Sequence, residues 1–145
     1  MDLVDEFFHL KIELFTSLEV INELEDGQQT TLLKRDQLTI LKVTEVDFLE
    51  EIGKELSPGL SIADTSVFHH AKELQSGILS GDNLLRKISE KLGFEVHGII
   101  WVLDELVSTS IINGKSASEK LEFLMEYNKR LPSKECQKII KKWSS

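Results

Sequence analysis

The chain has 145 residues, with 17 Lys and Arg against 25 Asp and Glu, which gives a formal net charge of −8. This length suits one domain, and a hydrophobic share of 41% excludes wholesale disorder. The single Cys136 excludes an internal disulfide and a cysteine-rich zinc site. No apolar run approaches the ~20 residues of a membrane span, and the acidic start MDLVDEFF is unlike a secretory signal. We therefore expect one cytoplasmic domain over residues 1–145.

Helical periodicity and capping signals alternate with short β-branched runs along the chain. The predicted helices are 2–9, 16–24, 28–35, 44–56, 61–74, 82–92, 98–112, 116–130 and 133–143. The predicted strands are 12–15, 38–43, 77–80 and 94–97. Capping boxes at Thr16 with Glu19, Thr44 with Asp47 and Ser61 with Asp64 open three of the helices. This alternation predicts a helix-rich α/β fold in three layers, α/β/α, around a short, mostly parallel sheet.

Three acidic residues follow predicted strands or open the next helix. Ligands of parallel sheets bind beyond the carboxyl ends of the strands, which singles out Glu23, Asp64 and Asp82. Carboxylates that converge there suit Mg²⁺, which binds oxygen ligands and needs few of them from the protein. Each acid also has a structural explanation: Asp64 as the acid of a capping box, Asp82 as an N-cap, and Glu23 as a solvated helical residue.

Four segments in consistent order resemble the PIN-domain (PilT N-terminus-like, VapC-type) nucleases of a prokaryotic subfamily. They are TSLEVINEL at 16–24, LSIADTSV with AKEL at 60–74, GILSGDNLLR at 77–86 and LGFEVHGIIWVL at 92–103. The resemblance covers most of the chain, which makes it more specific than any one segment.

This resemblance implies a metal-dependent endoribonuclease that cleaves single-stranded RNA. It implies Glu23, Asp64 and Asp82 as ligands of Mg²⁺ or Mn²⁺, with the Ser80 hydroxyl beside them as a fourth catalytic group. Many members of the family are toxins paired with an antitoxin protein, and homodimers are common, so both are expected partners.

The chain departs from the family pattern at its start. The first strand of the family and the Asp that ends it have no counterpart, because only 18 residues separate Asp5 from Glu23. We expect the coding sequence upstream of Met1 to continue in frame and to supply a strand of ordinary length, ~5–6 residues, that ends in Asp. Without that acid, metal binding is expected to be weak. The alternative is a non-catalytic PIN-like interaction module that has lost its first ligand.

The last predicted helix is basic on one face. Lys134, Lys138 and Lys141 are spaced four and three residues apart, opposite an apolar face that includes Ile140 and Trp143. One interpretation is a docked terminal helix with a solvated face. The other is an edge that binds RNA phosphates.

Overall fold

A computed structural model of the chain describes residues 3–42, 56–57 and 59–144. In these ranges the helices are α1 (Val4–Phe7), α2 (Leu18–Glu23), α3 (Asp26–Leu33), α4 (Ile62–Leu74), α5 (Asn83–Lys91), α6 (Ile99–Ser108), α7 (Gly114–Tyr127) and α8 (Ser133–Trp143). The strands are β1 (Leu14–Ser17), β2 (Leu38–Leu41), β3 (Ile78–Leu79) and β4 (Val96–His97). The expected α/β class, rich in helices and with parallel strands, is confirmed. None of the helices in these ranges is long and apolar enough to span a membrane.

The chain divides into two compact units. The strand unit is Ile12–His97, and the helical unit combines Met1–Lys11 with Gly98–Ser145. All four strands belong to the strand unit, whereas α1 and α6 to α8 belong to the helical unit. The expectation that residues 1–145 form a single domain stays a prediction.

The strands of the strand unit pair in parallel. Leu14 lies opposite Leu38 in the β1–β2 pair, and Ile78 lies opposite Val96 in the β3–β4 pair. Within the described residues these are two separate two-stranded sheets, where one sheet was expected. Helix α4 packs against both β1 and β3, so one helix spans both pairs.

The core of the strand unit lies where α4 meets β3 and α5. Phe68 and Ala71 of α4 are buried with Ile78 of β3 and Leu85 of α5. The ring of Phe68 packs edge-on against Phe94, with ring centroids 5.1 Å apart. Because α4 contributes its apolar stripe to this core, its N-terminal turn is held at a fixed position.

Three packed helices form the core of the helical unit. The fully buried side chains are Leu103 and Leu106 of α6, Ala117 and Leu121 of α7, and Cys136 of α8. Asp104 of α6 joins α8, because its Oδ1 accepts hydrogen bonds from Lys142 Nζ (3.1 Å) and Trp143 Nε1 (3.0 Å). The thiol of Cys136 is therefore a core group, and its burial raises its pKa.

Several predicted boundaries need correction. Helix α2 is capped by Ser17, whose Oγ accepts a hydrogen bond from Val20 N (3.1 Å), and not by Thr16. Strand β1 runs two residues further than predicted, so Thr16 belongs to the strand. Helix α3 begins earlier than residue 28, because Glu25 and Gln28 form a capping box. The predicted helix at 44–56, with its capping box, lies almost entirely outside the described residues, and residue 56 is helical.

A buried hydrogen bond joins the end of β1 to α4. Ser17 Oγ and Ser66 Oγ lie 2.6 Å apart, and Ser66 Oγ lies 2.6 Å from the carbonyl oxygen of Ala63. Because each hydroxyl carries one proton, both contacts are satisfied when Ser17 donates to Ser66 and Ser66 donates to Ala63. Both serines are buried, so this bond fixes the N-terminal half of α4 at the carboxyl end of β1.

We predict that Ser66→Ala destabilises the protein by about 1–3 kcal/mol, because the buried Ser17 hydroxyl loses its acceptor. Thermal unfolding followed by circular dichroism measures this as a melting temperature several degrees lower. Ser108→Ala, at an exposed serine that ends α6, is the matched control and leaves the melting temperature unchanged. An equal effect of the two substitutions would contradict the role of the Ser17–Ser66 bond.

Candidate active site

Asp64 lies in the first turn of α4. Ser61 caps this helix, and its Oγ accepts a hydrogen bond from Asp64 N (3.0 Å), so the predicted cap is confirmed. Asp64 precedes Ser66 by two residues and therefore lies close to the carboxyl end of β1. Partial burial is the main cause of a raised pKa at Asp64, which a hydrogen bond from Ser61 opposes and the charge of Asp82 increases.

Asp82 follows β3 and caps α5. Its Oδ2 accepts a hydrogen bond from Leu85 N (2.8 Å), which leaves Oδ1 for another partner. Ser80 Oγ accepts a hydrogen bond from Asp82 N (3.0 Å), and Ser80 N donates to His97 O (3.0 Å) at the end of the β3–β4 pair. The turn after β3 thus fixes Ser80 and Asp82 together, and Asp82 is exposed.

Asp64 and Asp82 occupy similar positions at the starts of their helices. Both carboxylates belong to the first turn or cap of a helix, where backbone N–H groups and the helix dipole favour negative charge. The Ser17–Ser66 hydrogen bond holds α4 against the end of β1, and the Ser80 turn connects β3 to α5. The predicted convergence of Glu23, Asp64 and Asp82 at the carboxyl ends of the strands stays a prediction.

Glu23 is the third acid that the sequence predicts as a ligand. It is the last residue of α2, which begins directly after β1, and its side chain is exposed. Across the described parts of the chain, no group of three or more acidic, His or Cys side chains is arranged to hold a metal ion. The role of Glu23 as a third ligand therefore stays a prediction.

The sequence did not single out a second polar pair between α2 and α4. Glu19 Oε2 and His70 Nε2 are both buried without a hydrogen-bond partner in the described residues. Burial lowers the pKa of His70, as does His69, whereas the charges of Glu19 and Glu73 raise it. Only the packing of α2 against α4 places Glu19 near His70, so no local sequence signal could have identified them.

The predicted phosphate-binding lysines belong to the other unit. Lys134, Lys138 and Lys141 lie on the exposed face of α8, opposite the buried Cys136. The helix bounds predicted from the sequence, 133–143, are confirmed.

A comparison with protein-family models matches the whole chain. The model described as a PIN domain covers residues 1–145. Comparison with curated proteins and with solved structures gave no match. The chain belongs to the PIN-domain family, as its four resembling segments indicated.

We predict that Asp64→Asn raises the melting temperature at pH 7 in a chelating buffer. The pKa of Asp64 is higher in the folded protein than in the unfolded chain, so its ionised form destabilises the fold. The gain in melting temperature is fully present when the pH is above the pKa of Asp64 in the folded protein. It disappears as the pH falls through that pKa towards the ordinary pKa of an Asp side chain. Differential scanning fluorimetry across pH measures it.

Asp36→Asn is the control for this prediction, because Asp36 is an exposed residue in the turn before β2. It leaves the melting temperature unchanged. A lower melting temperature for Asp64→Asn at pH 7, or a gain that does not depend on pH, would contradict the proposed repulsion.

Proposed function

We propose that the protein is a metal-dependent endoribonuclease of the PIN type that cleaves single-stranded RNA. The observation that carries this proposal is the match of residues 1–145 to the PIN-domain family, together with Asp64 in the first turn of α4 and Asp82 at the cap of α5 directly after β3. Two like charges held close together are unfavourable unless a cation or proton neutralises them. In an enzyme that hydrolyses phosphodiesters, a divalent cation serves that purpose.

The donor set fits a hard divalent cation such as Mg²⁺ or Mn²⁺. Both candidate ligands are carboxylates, and Mg²⁺ is commonly held by one or two carboxylates and several waters. Asp82 Oδ1 has no hydrogen bond within the described residues, while Oδ2 is fixed by Leu85 N. The Ser61 and Leu85 hydrogen bonds orient the two carboxylates before any metal binds.

Each residue has a distinct part in the proposed reaction. Asp64 and Asp82 hold the cation, and Glu23 is the third ligand. Ser80 fixes the turn that presents Asp82, because its Oγ accepts the Asp82 N–H. When bound, the cation activates water for attack on phosphorus and stabilises the leaving oxygen.

The proposal includes finer parts that rest on the family resemblance alone. These are a prokaryotic, VapC-type toxin, inhibition by an antitoxin protein, a homodimer, and action in the cytoplasm on RNA bound in part by Lys134, Lys138 and Lys141.

A non-catalytic PIN-like interaction module is the second candidate. The exposed position of Glu23, outside any three-residue metal group in the described ranges, favours it. In such a module the fold and a partner surface persist without cleavage of RNA.

We predict that Mn²⁺ raises the melting temperature and that Asp64→Asn or Asp82→Asn abolishes this shift. At a metal concentration of 100 times Kd the stabilisation is about 2.7 kcal/mol. Asn is also a good N-cap, so Asp82→Asn removes the charge while the start of α5 is retained. An unchanged melting temperature of the unmodified protein in Mn²⁺ would count heavily against a formed site.

Cleavage decides between the two candidates. We predict that the protein with Mn²⁺ cleaves a labelled single-stranded RNA and that Asp82→Asn slows cleavage at least about a hundredfold. Asp36→Asn, prepared identically, retains the activity. Equal residual cleavage by the unmodified protein and Asp82→Asn would indicate a contaminant and favour the interaction module.

A further inference from the structure

The helical unit carries an exposed aromatic pair that the proposed active site does not use. Phe123 and Tyr127 lie one turn apart on α7, with ring centroids 4.6 Å apart and ring planes tilted by 43°. Phe123 is 49% exposed and Tyr127 is 75% exposed. The core face of the same helix is formed by Ala117 and Leu121, so the aromatic pair does not serve its packing.

Five exposed cations follow the aromatic pair along the chain. Lys129 and Arg130 lie in the turn after α7, and Lys134, Lys138 and Lys141 lie on α8. Among the described residues, none of these five forms an ion pair. The only acid from residue 128 to residue 142 is Glu135, so this segment is strongly positive in a chain of net charge −8.

The packing of α7 against α8 places the aromatic pair and the first cations at the same end. A Cβ added to Gly114, which begins α7, would overlap the carbonyl oxygen of Trp143, which ends α8. The two helices are therefore antiparallel neighbours joined by the short turn at 128–132. Tyr127 at the end of α7 thus lies near Lys134 at the start of α8.

Acids border the aromatic pair on one side. At 100° per residue, Glu119 and Glu126 fall on one flank of Phe123 and Lys120 falls on the other. A polyanion that reaches the rings is therefore repelled on the flank of Glu126 and attracted by the cations that follow Tyr127.

We propose that Phe123 and Tyr127 form a stacking platform for the bases of single-stranded RNA, with Lys129, Arg130 and Lys134 binding its phosphates. Aromatic rings stack on every base type, while cations bind the backbone without regard to sequence. Unstacked bases occur in single strands, so the platform selects single-stranded over double-stranded RNA. This inference rests on the proposed function, because it names the binding surface for that substrate. The unpaired cations favour this occupant over a protein partner.

The test measures binding in a chelating buffer, where no cleavage can occur. Fluorescence anisotropy with a labelled oligoadenosine of about ten nucleotides compares the unmodified protein with Tyr127→Ala and Phe123→Ala. We expect each substitution to weaken binding about tenfold, Tyr127→Phe to preserve it, and Glu126→Gln to strengthen it. Circular dichroism and melting temperature confirm that these exposed substitutions leave the fold intact.

A second oligomer separates stacking from charge. It has the same length and phosphates, but tetrahydrofuran spacers replace its nucleosides. We expect Tyr127→Ala to leave binding of this oligomer unchanged, because it offers no bases. Lys134→Gln weakens binding of both oligomers and lowers the salt slope of log K by about 0.7.

Three results would overturn the platform. One is an unchanged affinity for oligoadenosine in both Tyr127→Ala and Phe123→Ala. Another is that Tyr127→Ala loses the same affinity for both oligomers, which would show that the surface binds RNA through charge and not through stacking. The third is that Tyr127→Ala or Phe123→Ala converts a dimer to a monomer in sedimentation while the affinity for RNA is retained. That result would show that the surface around Phe123 and Tyr127 binds a second copy of the chain. Failure of the nuclease proposal is a separate result, because it appears as absent cleavage with these binding differences intact.

Discussion

The buried hydrogen bond between Ser17 and Ser66 is the interaction on which the position of the candidate site depends. It joins the carboxyl end of β1 to α4, two residues after Asp64. The apolar stripe of α4 also packs on β3 through Phe68 and Ala71. One helix is therefore fixed against both strand pairs, and its first turn lies where the two strands end. This turn carries Asp64, whose pKa is raised mainly by burial and further by the charge of Asp82.

Local signals predicted the parts of the fold that depend on neighbours in sequence. Ser61 before Asp64 and Asp82 after β3 were identified because N-caps are recognised from a few residues. Thr16 was mistaken for the cap of α2 because Thr16 and Ser17 are both capping residues, and only strand pairing decides between them. The division into two strand pairs and the burial of Glu19 Oε2 and His70 Nε2 depend on tertiary packing. No residue spacing in the sequence predicts either feature.

The charge of the chain is divided according to the two units. The strand unit holds 16 acids and 8 bases, whereas the helical unit holds 9 of each. A site built from Asp64 and Asp82 in the acidic unit attracts cations and repels RNA phosphates. Under the proposed function, RNA binding would require cations from elsewhere in the chain, and α8 and the preceding turn carry exposed bases. The acids and the bases serve different steps of one proposed reaction.

The claim at the centre of this account is that the carboxylates of Asp64 and Asp82 share one site. Carbon-13 NMR titration of the Asp64 carboxyl group, in the unmodified protein and in Asp82→Asn without metal, tests that claim directly. The account predicts a lower pKa for Asp64 in Asp82→Asn, because the neighbouring negative charge is removed while burial is unchanged. An identical pKa for Asp64 in both proteins would show that the two carboxylates do not interact and would contradict a shared metal site.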